Sequence, residues 1–88
     1  MDLVVSNKTY SFFLDGPTLT KVYLWLVNNL RADVIPYESF YLDRKSVHWL
    51  INHLKKILPA NKQWVIDEFS TVKNTLDAYE KVKFYFFY

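Results

Sequence analysis

The chain begins and ends with runs of β-branched and aromatic residues that are typical of strands. Val4 and Val5 enter a first strand, residues 6–8 turn, and the segment TYSFFL returns, which predicts an N-terminal β-hairpin. The residues DGP at 15–17 then end the strand. The last residues, KVKFYFFY, predict a strand with two apolar faces, so we expect it to lie centrally in a sheet or at a covered edge.

Between these strands, apolar residues recur at the spacing of helices. The first helical pattern takes Thr18 or Thr20 as its N-cap and ends near Leu30. Pro36 can occupy the first position of a helix and predicts a short second helix over residues 36–41.

The third helical pattern begins at Asp43, a good N-cap, and is closed by Pro59. Its apolar stripe consists of Val47, Leu50, Ile51, Leu54, Ile57 and Leu58. A fourth segment, residues 64–80, repeats apolar side chains at a 4-3-4-3 spacing through Val65, Phe69, Val72, Leu76 and Tyr79. This is the a/d rhythm of a helix seam, which can pack on its own domain or on a second chain.

These segments predict a single small α+β domain over residues 1–88. It has an N-terminal β-hairpin, three to four helices with a helix-turn-helix-like core, and a C-terminal strand that completes a small antiparallel sheet. The composition agrees, because 51% of the residues are hydrophobic and 19% are aromatic, against one glycine. The chain contains no cysteine, which excludes disulfides and thiolate metal sites as supports of the core.

The sequence also indicates the cellular location that we expect for the protein. The amino terminus MDLVVSNKTY lacks the basic start and long apolar region of a signal peptide. The longest apolar run, VYLWLV, is far shorter than a membrane span. We therefore expect a cytoplasmic protein without membrane association.

Positive charge is concentrated in one part of the chain. Residues 44–66 carry five basic and no acidic residues, and the remaining residues carry six basic (11 − 5) and nine acidic ones. The window therefore has a formal charge of +5 and the remainder of −3. A surface without carboxylates suits a polyanion, because a carboxylate among the contacts would repel it.

The polar residues of the third helix align on one stripe opposite its apolar side. The candidate nucleic-acid-binding residues are Arg44, Lys45, Ser46, His48, Asn52, Lys55 and Lys56. Arginine and lysine suit phosphate or guanine, asparagine suits adenine, and serine at a helix amino end suits phosphate. This stripe predicts a small protein that binds double-stranded DNA.

Signals for an enzyme are poor. Gly16 is the only glycine, so neither a Walker loop nor a dinucleotide fingerprint can be present. His48 and His53 are five residues apart and point to different sides of a helix, so they cannot share a metal ion. We expect no catalytic residues, no metal site and no cofactor.

From residue 12 to residue 58 the chain resembles the winged helix-turn-helix output domain of two-component response regulators. FFLDGPTLTKVYLWLVNNL is similar to its strand and first helix, VIPYESFYL to its second helix, and DRKSVHWLINHLKKIL to its recognition helix. The resemblance implies transcription regulation, with Arg44, Lys45, His48, Asn52 and Lys55 facing the DNA. The wing is not evident, because a heptad-patterned segment follows the third helix.

The aromatic content supports a different function, that of a protein-binding module. Trp49, Tyr85 and Phe87 suit the centre of a protein interface, as in a phage or mobile-element inhibitor or accessory factor without catalytic activity. Either function allows a homodimer, formed through residues 64–80 or through the C-terminal strand.

Overall fold

The computed structural model describes residues 1–14 and 16–88, and Asp15 of the predicted strand break lies outside the described residues. In chain order the elements are β1 Asp2–Ser6, β2 Ser11–Leu14, α1 Gly16–Leu30, β3 Ser39–Leu42, α2 Arg44–Ile57, α3 Gln63–Asn74 and β4 Val82–Phe87, with a 3-10 turn over Ala60–Lys62 before α3. The predicted α+β architecture is confirmed, including the N-terminal hairpin of β1 and β2.

The four strands form one antiparallel sheet in the order β2-β1-β4-β3. The two ends of the chain therefore supply the two central strands, and β4 pairs with β1 on one side and β3 on the other. The predicted central position of the C-terminal strand is confirmed. Unpaired strand edges remain on β2 and β3 only, among the strands described.

Side chains alternate across the sheet, so one face is buried and the other is not. The inward side chains join the core and are Leu3, Val5, Phe12, Leu14, Phe40, Leu42, Val82, Phe84 and Phe86. The outward side chains do not belong to the core. We call them the outer sheet face, which consists of Asp2, Val4, Ser6, Ser11, Phe13, Ser39, Tyr41, Lys83, Tyr85 and Phe87.

Each helix adds an apolar stripe to the same core. The buried helix residues include Leu19, Val22, Trp25 and Leu26 of α1, Val47, Leu50, Ile51 and Leu54 of α2, and Val65, Ile66, Phe69 and Val72 of α3. The ring of Phe69 connects helix and sheet, since its centroid lies 5.0 Å from that of Phe12 and 6.3 Å from that of Phe84. The predicted stripe of α2 is confirmed except at its end, where Ile57 is exposed.

The segment 36–41 is a turn followed by a strand, so the prediction of a short helix there is wrong. Tyr37 takes a φ of 66°, and its N–H donates a hydrogen bond of 2.7 Å to the carbonyl of Phe86. The chain then enters β3, whose backbone pairs with β4. A partner strand more than forty residues away decides this structure, and the local proline signal does not reveal it.

The helix predicted over residues 64–80 ends early. Its side chains Val65, Phe69 and Val72 are fully buried in the core of their own chain, as one of the two alternatives predicted. α3 stops at Asn74, and Tyr79 lies 99% exposed in the following loop, so the last position of the predicted seam is wrong.

The start of α1 also differs from the prediction. The helix begins at Gly16, which has a φ of 62°, and Pro17 occupies its first turn, where the missing N–H of proline costs nothing. Thr18 and Thr20, the two predicted N-caps, both lie inside the helix, where Thr18 is buried and Thr20 is exposed.

Candidate nucleic-acid interface

α2 begins at the N-cap that the sequence predicts. Asp43 Oδ1 accepts a hydrogen bond of 2.8 Å from the N–H of Ser46, which satisfies a donor that the helix itself leaves free. The backbone N–H and then the hydroxyl of Ser46 hold the pKa of Asp43 below its ordinary value of 3.8, and the ammonium groups of Lys81 and Lys45 act in the same direction. Ser46, predicted as a phosphate contact, is half-buried with its N–H occupied by this cap.

Asp43→Ala should lower the free energy of unfolding by about 1 kcal/mol at pH 7, because the capping oxygen is lost. Since the folded pKa of Asp43 lies below its ordinary value of 3.8, the contribution is complete above that value and is lost as the pH falls through the folded pKa. Urea titrations of both proteins at pH 7 and pH 2.5 measure this difference. Asp43→Asn is the control, since its amide oxygen caps the helix at both pH values; a loss in Asp43→Ala that does not depend on pH would contradict the assignment.

Arg44 has a structural contact that the sequence does not reveal. Its Nη2 donates a hydrogen bond of 2.9 Å to the carbonyl of Leu76, just after the end of α3. The guanidinium therefore joins the start of α2 to the loop that leads into β4. This bond uses one of the five N–H donors of an exposed side chain, so the assignment of Arg44 as a DNA contact stays a prediction.

The remaining predicted side chains are brought together on one exposed face of α2. We call this the polar face of α2, and it consists of Lys45, His48, Asn52, Lys55 and Lys56, all of which are exposed. The opposite side of the helix is buried, so the stripe is fixed in orientation by the core.

His48 lies at the centre of a small polar cluster that includes a residue the sequence analysis missed. Lys73 of α3 places its Nζ 3.4 Å from His48 Nδ1, and Asn52 Nδ2 lies 3.3 Å from His48 Nε2. A hydrogen bond from Lys73 to Nδ1 requires the tautomer with its hydrogen on Nε2, and one from Asn52 to Nε2 requires the tautomer with its hydrogen on Nδ1. The two contacts therefore belong to different tautomers of the ring.

Lys45 and Trp49 form a cation–π contact at the first turns of α2. The ammonium of Lys45 lies 5.0 Å from the centroid of the Trp49 ring, and the ring is 48% exposed. Trp49 thus borders the polar face of α2. A similar contact joins Lys62 and Trp64 at the start of α3, with a distance of 6.0 Å.

The structure does not bring together the three residues predicted for a protein partner. Trp49 projects from α2 on the helical side of the molecule, whereas Tyr85 and Phe87 project from β4 on the outer sheet face. The rings of Tyr85 and Phe87 do lie side by side, with centroids 5.8 Å apart. These residues therefore belong to two surfaces, not to one.

Phe13 and Tyr41 are functional candidates that sequence reasoning missed. On the outer sheet face they are 64% and 56% exposed, respectively. The strand register places Phe13, Val4, Tyr85 and Ser39 in one row across the sheet. The sequence shows which side chains of a strand share a face. It does not show the order of the strands, which is needed to place these residues in one row.

An open cleft lies beside the outer sheet face, between the loop of residues 77–81 and the β1–β2 turn. Three lysines and two tyrosines line it, namely Lys8, Lys81, Lys83, Tyr41 and Tyr79. Glu80 holds the two loops together, because its carboxylate accepts hydrogen bonds from the N–H groups of Asp77 and Lys8. These N–H groups, Asp77 first, hold the pKa of Glu80 below its ordinary value of 4.5.

Asn7 supports the same turn. Its Oδ1 accepts hydrogen bonds from the N–H groups of Thr9 and Tyr10, and its Nδ2 donates 2.8 Å to the carbonyl of Val72. The asparagine therefore shapes the hairpin turn and fastens it to α3. With all these atoms engaged, we assign Asn7 to structure and not to ligand binding.

Within residues 1–14 and 16–88, no group of three or more potential metal ligands among His, Asp and Glu is close enough to hold an ion. No helix in the same residues combines the length and the apolar character needed to cross a membrane. The chain matches no protein-family model, no curated protein and no solved structure.

Proposed function

We propose that the polar face of α2 binds double-stranded DNA and that the protein is a small, transcription-regulator-like protein without catalytic activity. One observation carries the proposal: five polar or basic side chains are exposed on one face of a single helix, within a window that contains no acidic residue. A polyanion can approach such a face without meeting a carboxylate of the helix itself. The cytoplasmic location that we expect from the sequence suits this role.

The residue types suggest separate roles on the duplex. Lys45, Lys55 and Lys56 would contact phosphates, which supply affinity without sequence information. Asn52 has the amide that pairs with adenine in the major groove, and His48 lies beside it. Lys73 of α3 would add a further phosphate contact next to His48.

The dimensions of α2 fit this role. Its 14 residues span about 21 Å, and a major groove about 12 Å wide admits one helix. In the resemblance to winged helix-turn-helix domains, α2 takes the place of the recognition helix. Because β3 replaces the expected second helix, we propose that β3 and α3, which both contact α2, present it to the DNA.

A dimer would place two copies of α2 on one duplex and set the spacing of half-sites. The buried seam of α3 is not free to form it without unpacking the core. A dimer through the C-terminal strand would have to use the outward side chains of β4, because both of its edges are paired. The unpaired edges of β2 and β3 are the other possible contacts.

An NMR titration of the ¹⁵N-labelled protein with a random-sequence duplex tests the proposal. We expect the amide signals of Lys45, His48, Asn52, Lys55 and Lys56 to shift most, because they lie in the contact. The signals of the outer sheet face serve as the internal control and should change little. No shifts at high duplex concentration, or shifts confined to the outer sheet face, would exclude α2 as the binding element.

A second candidate function, a protein-binding module without nucleic-acid activity, is favoured by the exposed rings of Trp49 and Trp64. In this case a phage or mobile-element inhibitor or accessory factor would be the class of protein concerned. The two functions predict different sensitive residues: Trp49→Ala would weaken binding to a protein partner, whereas substitution of Lys55 and Lys56 would weaken binding to DNA.

A further inference from the structure

The outer sheet face carries aromatic rings that no element of the described chain covers. Phe13 and Tyr41 are mostly exposed on the two edge strands, and Tyr85 and Phe87 are half-buried on the central strand β4. None of these side chains belongs to the core. Exposed apolar rings gathered on one face of a small domain indicate a contact surface.

The rings lie far enough apart to act as separate binding positions. Tyr85 and Tyr41 lie on adjacent strands and are diagonal neighbours, which places them roughly 7–8 Å apart. Phe13 lies two strands from Tyr85, across Val4, and thus roughly 10 Å away. Each ring can therefore receive a different planar group of an extended ligand.

Lysines lie beside the rings. Lys83 lies on β4 at the end of the face next to the cleft, with its ammonium 5.9 Å from the centroid of Tyr85, and Lys8 and Lys81 line that cleft. The carboxylates nearby are Asp2, Asp77 and Glu80. Asp2 lies at the opposite end from the lysines, whereas Asp77 and Glu80 line the same cleft as the lysines, and Glu80 lies close to Lys8.

We infer that the outer sheet face binds single-stranded DNA, with bases stacked on Phe13, Tyr41 and Tyr85 and with phosphates beside Lys83, Lys8 and Lys81. Bases stack on aromatic side chains whatever their sequence, and lysines beside the rings attract the phosphate backbone. The site is distinct from the polar face of α2, which we propose for duplex DNA. The choice of DNA over RNA rests on that proposed function. The inference that bases stack on the three rings rests only on the geometry of the outer sheet face.

The dimensions disfavour a second copy of the chain as the occupant. Four strands about 4.8 Å apart and up to six residues long define an area of roughly 300–400 Å² per chain. Stable interfaces bury about 800 Å² per partner. Serines, one lysine and one aspartate also interrupt the apolar residues of the face. A strand of a few nucleotides fits this area better.

Fluorescence anisotropy of labelled dT12 measures the interaction at several salt concentrations. We expect wild type to bind, and both Phe13→Ala and Tyr41→Ala to bind about tenfold more weakly, because each loses one stacking position. Lys83→Gln should reduce the slope of log K against log salt by about 0.7, the value for one phosphate contact on a single strand. Phe13 and Tyr41 lie on opposite edge strands and outside the core, so either variant can serve if the other fails to fold.

Controls separate this site from the proposed duplex site. Trp64→Ala removes an exposed ring elsewhere and should leave dT12 binding unchanged. Substitution of Lys55 and Lys56 by glutamine should weaken dT12 binding only a few-fold, through the long-range field of the protein. Undiminished dT12 binding in Phe13→Ala and Tyr41→Ala, or no dT12 binding by wild type, would overturn the inference. Tighter binding of rU12 than of dT12 would also overturn it. So would a sedimentation result in which the wild type has the mass of a dimer and Phe13→Ala has the mass of a monomer.

Discussion

Phe84→Ala should lower the free energy of unfolding by about 3–5 kcal/mol, the loss expected for a large ring removed from a well-packed core. Phe84 is fully buried on the central strand β4. Its ring centroid lies 5.1 Å from that of Phe40 on β3 and 6.3 Å from that of Phe69 on α3. The cavity would therefore lie where the sheet and α3 meet, and the variant would keep little of the roughly 5–10 kcal/mol of a small domain.

Urea unfolding followed by tryptophan fluorescence measures this loss, and the next residue provides the control. Tyr85 lies on the same strand but points to the outer sheet face, where it is half-buried. Tyr85→Ala should cost only about 1 kcal/mol, since no enclosed cavity forms. Equal losses for the two variants would show that β4 is not buried on one face and open on the other.

Replacing Lys55 and Lys56 by glutamine should weaken duplex binding by on the order of 50–100-fold at 0.1 M salt. Each phosphate contact on duplex DNA contributes about 0.9 to the slope of log K against log salt. At 0.1 M salt this corresponds to a nearly tenfold loss of affinity for each contact that is removed. Both lysines are exposed in the last turn of α2, so the loss should appear in binding and hardly in stability. Anisotropy of a labelled duplex measures it.

A matched variant, Lys21→Gln with Arg31→Gln, removes the same net charge from α1 and its end. It should weaken duplex binding only a few-fold, through the long-range field of the protein. Equal losses in the two double variants would mean that total charge, and not the polar face of α2, determines affinity.

The elements with local signals could be predicted from the sequence. The hairpin, α2 with its Asp43 cap, and the terminal strand each follow from the residues within them. The core faces of α2 and α3 followed from apolar spacing, because a helix of fixed period must bury one side.

The elements whose structure depends on residues distant in sequence could not be predicted from the sequence. β3 forms because β4 supplies its hydrogen bonds, whereas Pro36 alone suggests a helix. The heptad of residues 64–80 continues past Asn74 in the sequence, but the chain must leave the helix there to reach the centre of the sheet. Tyr79 is therefore exposed despite its position in the pattern.

The candidate site was predictable in its residues but not in its contacts. Exposure of the polar face of α2 followed from the apolar stripe opposite to it. The bond from Arg44 to Leu76 and the approach of Lys73 to His48 depend on how α3 ends and packs against α2. The outer sheet face required the strand order, because its rings come from separate strands that are distant in sequence.

The salt dependence of duplex binding tests most directly whether the polar face of α2 meets a polyanion. With Lys45, Lys55, Lys56 and Lys73 on phosphates, the slope of log K against log salt should be about −3.6 for wild type. It should be about −1.8 for the variant with glutamine at positions 55 and 56. A slope near zero for wild type, or the same slope for both proteins, would contradict the account.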